Sequence, residues 1–136
     1  MKPLGHNESM RYREHNVHSG ARKAILEKEL QRLLDSLTRD PDTIGVVVFG
    51  SLAGGEVGED SDIDLMIVKE TDIPFLDRLR SLRRKLKPAV ATDFLVYTRQ
   101  EVKHLWRARP FFRDEIMGRG RILYEREHGT LAQLCA

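Results

Sequence analysis

The amino-acid sequence predicts a single α/β (α+β) domain, a small mixed β-sheet with helices packed on it. Three observations predict this class. Stretches with apolar residues three and four apart alternate along the chain with short β-branched runs. The 136 residues are the length of one domain. A content of 40% hydrophobic and 32% charged residues is that of a chain able to build one core.

Residues 1–18 are polar, rich in His and Arg and without periodicity, and are expected to form a flexible segment outside the domain. His6, His15 and His18 match no standard metal-ligand spacing. The domain is placed at residues 19–127. Its first helix is expected over 19–39, with Leu26, Leu30, Leu33 and Leu37 on one stripe, Ser19 as the cap and Pro41 as the stop. Ile44 to Phe49 is nearly all apolar and β-branched, the pattern of a strand covered on both faces. A glycine-rich segment follows, and Asp62 to Val68 reads as a second strand whose first half alternates acid and apolar. A second helix is expected over 74–87, capped by Asp72 or Thr71, with Phe75, Leu79, Leu82 and Leu86 as its stripe. Val90 to Tyr97 is a third strand. Thr98 and Glu101 stand at capping-box spacing and open a helix through Leu105 and Trp106. Residues 111–117 make a last short helix before Gly118, and Ile122 to Tyr124 a final short strand. Residues 128–136 are expected to be a tail, with Cys135 a frayed thiol.

Charge and hydropathy exclude several classes. One cysteine makes no internal disulfide. No apolar run is long enough to span a bilayer, and the first residues lack the apolar region of a signal peptide, so the expected compartment is the cytoplasm. The net charge of +2 names no partner. Its distribution is uneven: residues 56–72 hold seven acids against Lys69 alone, and residues 78–87 hold six bases and no acid. That pairing suits a metal with a polyanion, and equally suits two solvated faces that attract. The basic helix has no aromatic residues interleaved to stack bases, so nucleic acid is not the expected partner. A homo-oligomer is compatible with the chain.

Three features carry chemistry. Gly50-Ser51 follows the first strand directly. A glycine there lets backbone N–H groups approach a ligand closely, and a helix starting at Ser51 would aim its free N–H groups at the same point. No Gly-Lys-Ser/Thr follows, so this is not a P-loop. Next, Ser61-Asp62-Ile63-Asp64-Leu65 puts two carboxylates at i and i+2, on one face of a strand. Two like charges side by side destabilise a strand unless something neutralises them, and Mg²⁺ takes one or two carboxylates plus phosphate oxygens. Finally, Asp93 sits inside a β-branched, aromatic run: buried there it needs a partner, and on an edge strand it would instead face water.

The composite order of Phe49-Gly50-Ser51, then Ala53 and Gly55, then Ser61-Asp62-Ile63-Asp64-Leu65 eleven and thirteen residues after Ser51 for its two acids, then Asp93, resembles the DNA polymerase β-like nucleotidyltransferase superfamily, in detail its minimal branch. The resemblance spans roughly residues 44–125, to Gly120-Arg-Ile-Leu-Tyr124-Glu. It departs in one place: Gly54 stands where that family often has Arg, and Arg78 and Arg83 are near enough in sequence to replace it. The resemblance implies transfer of a nucleoside monophosphate, AMP from ATP, to an acceptor hydroxyl. It assigns Gly50, Ser51 and Ser61 to the nucleotide and Asp62, Asp64 and Asp93 to catalysis and to two Mg²⁺ ions. It also implies a small helical HEPN-type partner in a toxin–antitoxin pair. The alternative is a weakly active or inactive partner-binding module that keeps the fold. Trp106 with Phe111-Phe112, or the basic helix, would make the partner contact. His104 is expected on a helix surface.

Overall fold

The run Thr43–Phe49 forms β1, and every residue of it is buried, because helices cover both faces of the sheet at this strand. The structure is a computed structural model that describes residues 5–136, with side chains described from residue 20 onward. The remaining elements are α1 (Gly5–Arg39), α2 (Gly50–Gly54), β2 (Ile63–Lys69), α3 (Phe75–Leu86), β3 (Thr92–Tyr97), α4 (Arg99–Ala108), a π-helix (Phe112–Gly118), β4 (Arg121–Glu125) and α5 (Thr130–Leu134). The fold class is the expected one: a four-stranded mixed sheet in the order β3-β2-β1-β4. β1 runs antiparallel to β2 and β4, and β2 parallel to β3 through the crossover helix α3.

Two hydrophobic layers follow from strand alternation. Val46, Val48, Ile63, Leu65, Ile67, Phe94 and Val96 face α1 and α3, meeting Leu26, Leu30, Leu33 and Leu37 on one helix and Leu82 and Leu86 on the other. The opposite face, with Val47, Phe49, Met66 and Val68, packs on Val102 of α4, Phe112 and Ile116 of the π-helix, and Leu131 and Leu134 of α5. Each such buried side chain contributes about 1.5–3 kcal/mol. Among the described residues, no helix is long and apolar enough to cross a membrane.

Several local expectations change. α1 begins at Gly5, so Ser19 lies inside it and is no cap; Glu8, Met10, Arg11 and Glu14 are good helix formers and extend a helix without an apolar stripe. Residues 1–4 and the side chains of His6, His15 and His18 lie outside those described. α3 is entered through Pro74 with no side-chain cap, and Thr71 Oγ instead accepts the N–H of Ile73. The capping box at Thr98 and Glu101 forms as read. The stretch at 112–118 closes as a π-helix. The chain end packs on the sheet: Leu131 and Leu134 are buried in α5, and Cys135 is half-buried, its thiol pushed up by burial. The aromatic pair splits, with Phe112 in the core and Phe111 62% exposed.

One buried acid ties the layers together. Glu29 of α1 is 6% exposed and accepts from Arg32 and from the Ala89 backbone N–H. Arg32 also donates to the carbonyls of Leu86 and Lys87. This network fixes the end of α3 and the loop that leads into β3, and so helps to set where Asp93 stands.

Candidate active site

The site lies where β1 ends and β2 and β3 begin. Strand register places Phe49 opposite Asp64, and Asp64 opposite Asp93, in one row across three strands. Alternation sends Ile63, Leu65, Thr92 and Phe94 into the structure and leaves Asp64 half-buried and Asp93 exposed on the other face. An open cleft of about 730 Å³ is lined by Ser51, Glu56, Gly58, Glu59, Asp60, Ser61, Asp62, Asp64 and Asp93. The structure therefore brings together Ser51, Ser61 and all three aspartates singled out in the sequence, with Gly50 directly beside them.

Gly50 shows how tightly the turn is built. Its φ is +71°, a conformation that L side chains rarely adopt. A Cβ at this position would lie inside the contact distance of Asp64 Oδ2 and 3.2 Å from Asp64 Cγ. The glycine backbone and the carboxylate occupy adjoining space that no other residue type leaves open. After it, α2 winds a single short turn closed by Gly55 at φ 76°, whose N–H bonds the Ser51 carbonyl. Ser61 braces the loop before β2: its Oγ accepts the Gly58 N–H at 2.8 Å.

The carboxyl of Asp64 is pushed up to about 6, first by burial, then by the negative charges of Asp93 and Asp62, and by a hydrogen bond to Asp93 that needs a shared proton. Glu56, Glu59 and Asp60, not singled out from the sequence, add three acids to the cleft. Two arginines stand at its margins: Arg22 Nη2 is 4.0 Å from Asp62 Oδ1 and Arg83 Nη2 is 3.9 Å from Asp93 Oδ1. Arg22 was missed, for nothing in its local sequence separates it from other helix-surface bases. Arg78 lies elsewhere, committed to the carbonyls of Ile73 and Val96 and to Glu101. Of the two candidates to replace the turn arginine, only Arg83 is at the site.

Every charged donor lining the cleft is a carboxylate, the donor type that hard divalent cations prefer. A bare triphosphate would meet six acids there, so it can enter only with a neutralising cation. Among the described residues, no group of three or more His, Cys, Asp or Glu side chains is gathered closely enough to hold a metal unaided.

The family model described as polymerase beta, nucleotidyltransferase matches residues 31–129. The chain belongs to this family. It is similar in fold to a presumptive nucleotidyltransferase of Sulfolobus solfataricus, with TM-score 0.58, 18% identity, and 82% of this chain and 90% of that chain covered. It is also similar to a chain of a toxin–antitoxin complex crystallised with AMP-PNP, with TM-score 0.53, 19% identity, and 80% of each chain covered. No curated protein matches it. This nucleotidyltransferase-family domain has the Gly50-Ser51 turn at the end of β1, the row of Asp64 and Asp93 on β2 and β3, and Gly54 as the last residue of α2.

Proposed function

We propose that the protein transfers AMP from ATP to a hydroxyl on a small helical partner of HEPN type, as the antitoxin of a toxin–antitoxin pair. The observation that carries this reading is the row in which Asp64 and Asp93 stand side by side against the Gly50-Ser51 turn. The solved toxin–antitoxin complex with AMP-PNP, one chain of which has this fold, supports an adenine nucleotide and a toxin–antitoxin pairing.

The roles follow from charge and reach. Backbone N–H groups at Gly50 and Ser51 hold the terminal phosphates. Ser61 Oγ accepts a bond from Gly58 and keeps its own proton to donate to a phosphate oxygen. Asp62, Asp64 and Asp93 would hold two Mg²⁺ ions, whose chemistry is to neutralise the triphosphate and acidify the acceptor hydroxyl. Asp93, with its side chain 74% exposed, is the carboxylate that an incoming hydroxyl reaches, and it takes the proton as the oxygen attacks the α-phosphorus and pyrophosphate leaves. Positioning and fixed charge do most of this work.

The test is incubation of wild type and Asp62→Asn with labelled ATP, Mg²⁺ and the product of the neighbouring gene. A partner mass gain of one AMP, seen with wild type alone, supports the proposal. Labelling of tRNA or of a small hydroxyl compound, with the partner untouched, overturns the acceptor and keeps the transferase.

A second reading, a weakly active binding module, is favoured by Gly54. A Cβ there meets nothing within 4 Å, so packing does not demand glycine. Gly54→Arg is expected to tighten Mg·ATP binding about tenfold, the value of one added charge-assisted phosphate contact. Calorimetric titration of both proteins measures it. Partner labelling by Gly54→Arg but not by wild type would establish the binding-module reading.

A further inference from the structure

The backbone just before each of the two flanking aspartates is held in the same way. Arg22, on α1, donates through Nε and Nη2 to the carbonyl oxygen of Ser61, at 3.1 and 3.0 Å. Arg83, on α3, donates through Nη2 to the carbonyl oxygen of Thr92 at 2.6 Å, and its guanidinium lies over the Phe94 ring, 5.4 Å from the centroid. Ser61 and Thr92 are the residues immediately before Asp62 and Asp93. Each arginine therefore grips the backbone that presents an acid and stands 3.9–4.0 Å from that acid, beyond hydrogen-bond reach. Asp64, which feels the charge of both neighbours, has no such arginine among the described residues.

The two kinds of contact differ in strength. An exposed ion pair near 4 Å contributes little, so neither arginine locks its carboxylate away from a competing ligand. A guanidinium bonded to a backbone carbonyl is a fixed strut, doubled by two donors at Ser61 and by ring stacking at Phe94. The struts come from different helices and converge on one cleft, and Arg22 lies outside residues 31–129 that match the family model.

We propose that Arg22 and Arg83 are positioning residues, which fix the backbone at Ser61 and Thr92 so that Asp62 and Asp93 face the space beside Asp64 and bind a divalent cation together with it. This rests on the metal-dependent reading above. It predicts a sign opposite to that of simple charge. Removing a cation near a metal site strengthens metal binding if charge alone matters, and weakens it if the strut matters.

The experiment is titration of the whole protein with Mn²⁺, following free Mn²⁺ by its paramagnetic resonance signal. Wild type is compared with Arg22→Ala, Arg22→Lys, Arg83→Ala and Arg83→Lys, with circular dichroism as the fold control. Leu26, Leu30 and Leu33 still seat α1 when Arg22 is cut back, and the lysine variants keep the charge. Both alanine and lysine variants are expected to bind Mn²⁺ about 10–100-fold more weakly, the usual cost of losing an outer-shell support. Tighter binding by the alanine variants, with lysine like wild type, would show competing charges and overturn the proposal. Equal binding by all five proteins would overturn it and leave the metal reading standing. Wild type that binds no Mn²⁺ overturns both.

Discussion

Asp64→Asn is expected to lower AMP transfer about a thousandfold, the scale of losing a main charge stabiliser in a transfer reaction, and to stabilise the metal-free protein at neutral pH. The two effects share one cause. Asp64 is half-buried, opposite Asp93 in the strand register, and its carboxyl is held up at about 6 by burial and by the charges of Asp93 and Asp62. A folded value above the ordinary 3.8 means that the folded state holds this proton more tightly than the unfolded chain does. The resulting stability is complete below about pH 4 and is lost as pH rises through 6. At pH 8 the ionised carboxylate costs on the order of 1 kcal/mol once solvent screening is counted. An uncharged amide removes that cost and still offers an N–H to Asp93. The melting temperature should rise by about 3–5 °C at pH 8, and the gain should vanish at pH 4. Mg²⁺ should stabilise wild type more than the variant, because it neutralises the same charge. A melting temperature that falls at pH 8 would make Asp64 a structural acceptor and sink this account. The stress falls on Asp64, the middle member of the row.

Gly50→Ala should be strongly damaging, because the turn is built around the Asp64 carboxylate. The positive φ costs about 1–2 kcal/mol for any L side chain, and the new Cβ collides with Asp64 Oδ2. The carboxylate must move or the turn must open. A total loss of about 3 kcal/mol is expected, with nucleotide binding lost alongside. Gly54→Ala is the matched control, since a Cβ there meets nothing within 4 Å. In an Asp64→Ala background the Gly50→Ala cost should shrink toward its backbone part, because the collision partner is gone. Denaturant unfolding of wild type, Gly54→Ala, Gly50→Ala, Asp64→Ala and the double variant reads this coupling. If Gly50→Ala costs no more than Gly54→Ala, the turn is not built around the carboxylate.

Much of the molecule was legible from local rules. A β-branched run flanked by a turn became β1, the Thr98 and Glu101 pair became a formed capping box, and the leucine stripe became the buried face of α1. The i, i+2 aspartates and the Gly-Ser turn reached one cleft because strand alternation and turn geometry depend on neighbours in sequence. Where sequence reading stopped, the deciding contacts join residues far apart in the chain. α5 packs because Leu131 and Leu134 find the face of β1, though the last nine residues alone resemble a tail. Phe111 and Phe112 are the same residue type in adjacent positions, and only helix orientation sends one to solvent and the other to the core. Arg22 reaches Ser61 across 39 residues and Arg78 turns away to Val96 and Glu101, so charge alone could not say which base belongs to the site. Local sequence was enough to place the aspartates at the starts of two strands and the glycine turn at the end of a third. The tertiary structure alone decided that Asp64 and Asp93 stand shoulder to shoulder, because a parallel register is set by packing over the whole sheet and not by any local run.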